Sequence, residues 1–263
     1  MRPSIFCKLY FPFPCMRPDN YIYMPNHVFS LVFFFVTYNI FDWIIRRGKV
    51  EHIAKKSVFI NGCDTGFGNL LAKTLDQKGV VVYAGCLTNN GAEQLNKDTS
   101  SRLKTLILDV LDNGSITDAF RTIDQDVKDG GLLSVVNNAE VTSGLSSFEC
   151  NPLAVLERTI LVNLVGHMAV AYTFLPLLRK SGVRLVNVCS SFSFVAIPGI
   201  INQMKLMAHL NKAENVFPVT KFISLLHESN LSSPQDVADV MIRALLARRP
   251  RSRYLVDTDA KTL

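Results

Sequence analysis

From Ser57 onward, short runs rich in Val, Ile and Leu alternate with longer stretches of helical periodicity. The runs are SVFIN (57–61), VVVYAG (80–85), LKTLILDV (103–110), LLSVVNN (132–138) and VRLVNVCS (183–190). Between them lie 67–78, 91–97, 115–128 and 152–180. A strand that is apolar along its whole length needs cover on both faces, and a helix between two strands returns the chain parallel to itself. The pattern therefore predicts an α/β fold, a doubly wound parallel sheet with helices on both faces. Ser115, with Asp118 three residues on, is a candidate N-cap. Near the end, Ser233, Pro234 and Asp236 stand where an N-cap, first helical position and N3 belong, so 232–250 reads as a helix.

The 263 residues suffice for one substantial core and a small appendage. The net charge of +6 comes mainly from RRGKVEHIAKK (46–56) and ARRPRSR (247–253). Neither cluster is interleaved with aromatics along a groove-sized stretch, which argues against a nucleic-acid partner and for a solvated or juxtamembrane face. No Cys-x-x-Cys pair occurs and the histidines are scattered, so no metal site is expected. Cys63, Cys86 and Cys189 lie in or beside apolar runs, as free cysteines of a reducing compartment do.

Residues 1–27 show no periodicity and are expected to be poorly ordered. Residues 28–45, VFSLVFFFVTYNIFDWII, form a candidate transmembrane anchor in which Asn39 and Asp42 are the strongly polar positions. A small-residue cleavage site is lacking. Five basic residues follow, Arg46, Arg47, Lys49, Lys55 and Lys56, against Arg2, Lys8 and Arg17 before it. That bias predicts a cytosolic main domain over 50–263. A buried apolar helix of a soluble protein is the alternative.

The first apolar run ends in INGCDTGFGN (60–69). Glycines between a strand and a helix permit a tight turn and let backbone N–H groups approach phosphate oxygens, with the helix N-terminus adding partial positive charge. The spacing of Gly62, Gly66 and Gly68 reads as a dinucleotide cradle. Residues 86–91, CLTNNG, carry neither the acid that favours NAD nor the arginine that favours NADP, so both stay open.

GCDTGFGNLLAKTLD closely resembles the cofactor loop of the short-chain dehydrogenase/reductase family. It is most similar to the membrane-associated branch holding retinol, hydroxysteroid and 3-hydroxybutyrate dehydrogenases. Further stretches agree in order: VYAGCLTNNGAEQL (82–95), LILDV (106–110), VVNNA (135–139), VNLVG (162–166), LPLLRKSG (175–182), RLVNVCSS (184–191) and RALLARRPRSRY (243–254). The resemblance implies a Rossmann-like fold with NAD or NADP as cofactor and a lipid alcohol or ketone as substrate. It also implies an endoplasmic reticulum or other internal membrane, with a mitochondrial membrane as alternative. By the same resemblance Gly62, Asp64, Gly66, Phe67 and Gly68 form the cofactor loop and Asp109 bonds the adenine ring. Asn137 and Ala139 line the cofactor. Asn163 holds a relay water, Ser190 polarises the substrate oxygen, and Lys205 binds the nicotinamide ribose and tunes the catalytic tyrosine. Self-association stays open. Asn137, Asn138 and Asn163 also have a plainer reading, as side chains that satisfy backbone groups at strand or helix ends.

Three departures from the family pattern stand out. Glu140 replaces the glycine of Asn-Asn-Ala-Gly and sets a carboxylate near an anionic ligand. Ile201 stands four residues before Lys205, where the catalytic tyrosine is expected, and no tyrosine occurs between Tyr172 and Tyr254. Residues 206–230 read as one and a half helices, too short for a long helix followed by a sixth strand, and the chain stops at DAKTL (259–263). The C-terminal part is thus expected to be truncated, the domain incomplete after 205 and the sheet edge open. Three readings follow: an oxidoreductase of retinoid, steroid or similar lipids, a non-catalytic dinucleotide-binding or interaction protein, or an incomplete splice or gene product.

Overall fold

The computed structural model of the chain describes residues 26–46, 48, 50–127, 131–141, 151–180, 183–190, 221–227 and 233–256. Two compact units divide the chain, Met1–Gly48 and Lys49–Leu263. The first contains helix α1 (Asn26–Arg46), 21 residues long. At 1.5 Å per residue it measures about 31 Å, close to the hydrocarbon thickness of a bilayer. Its large side chains are exposed, Phe35 at 70%. Thr37 Oγ1 and Asn39 Nδ2 donate to Phe33 O and Phe35 O (2.6 and 2.7 Å), so these polar groups are satisfied within the helix. Val28–Ile45 is long and apolar enough to cross a membrane.

In the second unit, seven parallel strands lie in the order β3-β2-β1-β4-β5-β6-β7. They are β1 (Ser57–Asn61), β2 (Val81–Cys86), β3 (Leu103–Ile107), β4 (Leu132–Asn137), β5 (Arg184–Ser190), β6 (Lys221–His227) and β7 (Arg253–Leu255). Helices α2 (Gly66–Gln77), α3 (Asn89–Lys97) and α4 (Asn113–Asp126) join the first four strands. Between β4 and β5 come α5 (Leu153–Ile160), a π-helical turn (Leu161–Gly166), α6 (His167–Thr173) and α7 (Leu175–Lys180), and α8 (Pro234–Leu246) precedes β7.

Alternation along the strands feeds two cores. Val58, Ile60, Val82, Ala84 and Val186 pack beneath α2, α3 and α8, through Leu71, Leu75, Leu95, Val240 and Leu245. Phe59, Tyr83 and Leu185 face the opposite side, against Ile116, Ile123, Val170 and Phe174. There the Phe59 and Phe174 rings stack at 4.6 Å, and Phe120 meets Phe174 edge-on at 5.5 Å. Both faces of β1 are therefore dry, which explains a strand without polar alternation.

Two local expectations are corrected. The N-cap of α4 is Asp112, whose carboxylate accepts from Gly114 N at 2.8 Å. Ser115 instead accepts from Asp109 N (3.1 Å) and donates to Ile107 O (3.3 Å), tying the helix start to the end of β3. The second correction concerns the sheet edge. Residues 221–227, expected to be helical, form β6 along the full length of β5, so the sixth strand is present. Its apolar residues at 222, 223, 225 and 226 match a helical period as well as a strand, and pairing with β5 decides between them. The capping box on α8 forms as read, with Ser233 Oγ accepting from Asp236 N at 3.2 Å.

At the other end of α8, buried Arg184 of β5 donates to the carbonyls of Ala244, Leu245 and Ala247. Val50 N donates to Leu246 O at 2.7 Å. The last turn of this helix is satisfied by an arginine from the central sheet rather than by water.

Candidate functional site

The sheet order places β1 and β4 side by side while their connections leave in opposite directions. At such a switch point the loops beyond the strand ends part and leave a crevice. A cleft of roughly 280 Å³ lies there, lined by Gly62, Asp64, Thr65, Gly66, Phe67, Leu87, Leu108, Asp109, Val110, Asn138, Ala139, Glu140, Val141, Arg158 and Val162.

Its floor is the loop between β1 and α2. Gly62 (φ 71°) and Gly66 (φ 67°) sit in the left-handed region that side chains disfavour. They serve different ends. A Cβ on Gly62 would lie 2.6 Å from Ala139 Cα, so glycine lets the β1 and β4 exits touch. A Cβ on Gly66 would meet nothing within 4 Å, so glycine is there for the turn and leaves open space at the start of α2. Gly68 is buried and packs on Asn138 and the Gly62 carbonyl. Thr65, the N-cap of α2, makes no side-chain cap, and the first turn holds no acid. An uncapped helix start facing an open cleft is an anion site.

Beneath the floor runs a ladder of asparagines. Asn61 Nδ2 donates to Asn137 Oδ1 (2.8 Å), and Asn137 Nδ2 donates to Asn187 Oδ1 (3.0 Å) and His167 O (3.1 Å). Asn61 Oδ1 accepts from Asn138 N and Ala139 N (2.7 and 2.6 Å), and Asn138 Nδ2 donates to Gly62 O (2.9 Å). Asn163, in the π-helical turn, accepts from Val141 N and donates to Val141 O (2.9 and 2.8 Å). His167 Nε2 lies 2.8 Å from Ala139 O. A carbonyl only accepts, so that nitrogen carries the proton, and burial pushes the imidazole pKa down to about 4.

Residues 56–202, more than half of the chain, match the family described as short chain dehydrogenase. The chain belongs to the short-chain dehydrogenase family. It is 43% identical over 164 residues to 17-beta-hydroxysteroid dehydrogenase type 6 of Bos taurus, covering 62% of this chain and 52% of that protein. Over 156 residues it is 45% identical to retinol dehydrogenase 7 of Mus musculus, covering 58% and 48%. The chain thus spans about half the length of these relatives. Among solved structures it superposes on a 3-ketoacyl-(acyl-carrier-protein) reductase from Brucella melitensis complexed with NADH. The TM-score is 0.66 at 18% identity, over 72% of this chain and 90% of that one. A metagenomic short-chain oxidoreductase in complex with NADP gives 0.65 at 15% identity, over 76% and 96%. At these identities the likeness establishes the Rossmann-like fold.

Of the residues expected from the short-chain dehydrogenase pattern, Gly62, Asp64, Gly66, Phe67, Asp109 and Ala139 line the one cleft. Asn137 does not line it; 1% exposed, it braces β1, β4 and β5 from below. Asn163 is buried and uses its amide on the Val141 backbone, so the plainer reading describes its bonding here, as it does for Asn138. Ser190 ends β5, paired with His227 of β6. Ile201 and Lys205 lie outside the described residues.

Glu140 lines the cleft with an exposed surface, yet the surrounding recess strips enough solvent to raise its carboxyl pKa. Three carboxylates, Asp64, Asp109 and Glu140, and one guanidinium, Arg158, share the lining. Arg158 and His167 were not anticipated from sequence. His167 carried one weak signal, a lone histidine in an otherwise apolar stretch, HMAVAYTFL.

Proposed function

We propose that the cleft binds a nicotinamide dinucleotide, as the cofactor of an oxidoreductase acting on a lipid alcohol or ketone of the retinoid or steroid type. One observation carries this reading: the glycine turn opens onto an uncapped helix start at the sheet's switch point. The residues fit the cofactor, since the open space at Gly66 admits a phosphate where a Cβ would intrude. When bound, such a cofactor gives or accepts a hydride. The chain's part is to hold the pyrophosphate on the N–H groups that begin α2 and to exclude water along Leu108, Val110 and Val162. By resemblance Ser190 orients the substrate oxygen and Lys205 holds the nicotinamide ribose. The apolar substrate is supported by the relatives' names and by α1, which we read as an anchor in the endoplasmic reticulum or another internal membrane, the basic residues after it holding the domain on the cytosolic side.

Ile201 favours a second reading, cofactor binding without turnover. Losing a positioned acid/base costs roughly 10²–10⁴ in rate. The test titrates the full chain in detergent with NADH and NADPH by calorimetry. Retinol and hydroxysteroid oxidation are then assayed in the unmodified chain and in Ile201→Tyr. We expect dinucleotide binding, slow turnover and a gain of about 10²-fold in the variant. Binding with no turnover in either protein selects the second reading. Failure of both dinucleotides to bind overturns the assignment of the cleft.

A further inference from the structure

We propose that Asp64 is the residue by which this cleft selects between the two nicotinamide dinucleotides, admitting NAD(H) and refusing the 2′-phosphate of NADP(H). The inference rests on the dinucleotide reading of the cleft. In doubly wound folds the adenosine ribose lies at the turn after the second strand, where a carboxylate favours a free 2′-hydroxyl and an arginine a 2′-phosphate. The turn after β2, Leu87-Thr88-Asn89-Asn90, holds no charged residue. The structure brings a carboxylate to it from another part of the chain.

Asp64, in the loop after β1, reaches across to the start of the β2–α3 turn. Its Oδ2 accepts from Leu87 N at 2.7 Å, and its Oδ1 accepts from Thr88 N at 2.9 Å and from Thr88 Oγ1 at 2.7 Å. Thr88 Oγ1 in turn accepts from Gly91 N at 3.0 Å, which caps α3. Two backbone N–H groups and a hydroxyl that a phosphate at this turn would draw on are therefore already taken. The carboxylate rests against Gly91, where a Cβ would stand 2.5 Å from Oδ1, so a glycine at 91 makes room for it.

Asp64 also lines the cleft. With a single bond to Oδ2, that oxygen keeps a lone pair for a ribose hydroxyl. A 2′-phosphate brings further negative charge to a lining that already holds three carboxylates against Arg158 alone. Hydrogen bonding and charge thus point the same way.

The experiment is calorimetric titration of the full chain in detergent with NADH and NADPH, for the unmodified protein, Asp64→Asn and Leu87→Arg. We expect NADH to bind at least tenfold tighter than NADPH in the unmodified chain, and the ratio to fall severalfold in Asp64→Asn. Leu87 is 53% exposed and contributes its backbone, not its side chain, to the Asp64 bonds. An arginine there leaves the clamp intact even where Asp64→Asn fails to fold, and is expected to raise NADPH affinity about tenfold with NADH within about twofold. Equal binding of both dinucleotides by the unmodified chain overturns the selection. So does an unchanged ratio in folded Asp64→Asn, or no gain of NADPH affinity in Leu87→Arg. Binding of neither dinucleotide overturns the cleft assignment itself, a distinct result.

Discussion

The peptide chain leaving β4 is held by side chains from three other segments: Asn61 on Asn138 and Ala139, Asn163 on Val141, and His167 on Ala139. His167 makes this arrangement sensitive to pH. Buried and neutral, it has a folded-state pKa near 4 against an ordinary 6.5. Between those values the unfolded chain binds the proton and the folded one does not, so stability falls as pH drops from 6.5 towards 4, by on the order of 3 kcal/mol in all. Urea unfolding at pH 7 and pH 4.5 is expected to show this loss, and His167→Gln, which keeps a donor for Ala139, to abolish most of it. An equal slope in both proteins would falsify the assignment. At this scale the sequence was only partly legible. The glycines and Asp109 announce themselves by position next to strand ends. The partners of Asp64 and His167 stand 23 to 28 residues away and become neighbours only once the sheet is built.

Elements were easier to read, for a physical reason. The runs that became β1, β2, β4 and β5 are rich in β-branched residues and bounded by turn chemistry, and both faces are buried, so local preference and tertiary demand agree. Residues 221–227 carry a mixed pattern, and there the neighbour β5 overrides it. Helix α1 poses the opposite case, a local pattern with no tertiary partner to arbitrate. Its exposed phenylalanines are an unfavourable surface in water and a favourable one in lipid. We expect the full chain to stay with membranes after alkaline carbonate extraction, and a Phe34→Lys/Phe35→Lys double variant, which sets two charges mid-helix, to be released into the supernatant. Extraction of the unmodified chain by carbonate would count against a spanning helix.

Across the whole molecule, the tie from Arg184 to the last carbonyls of α8 joins the central sheet to the C-terminal helix, more than 60 residues away in sequence. Removing it strands buried carbonyls, so Arg184→Met is expected to cost about 3 kcal/mol in urea unfolding, with loss of protection across α8 in hydrogen exchange. A loss below 1 kcal/mol would mean that water replaces the guanidinium. The π-helical turn Leu161–Gly166 has a different consequence, for how this chain can change length. Such a turn carries one residue more than the α-helix around it, and each residue advances a helix by about 100°. Deleting a single residue between 161 and 166 would therefore restore a regular helix while rotating everything after it. His167 would swing off Ala139, and Val170 and Phe174 would turn out of the core beneath Phe59. One surplus residue thus sets the phase between the half of this helix that faces the cleft and the half that fills the core, and the segment tolerates substitution far better than it tolerates a change in count.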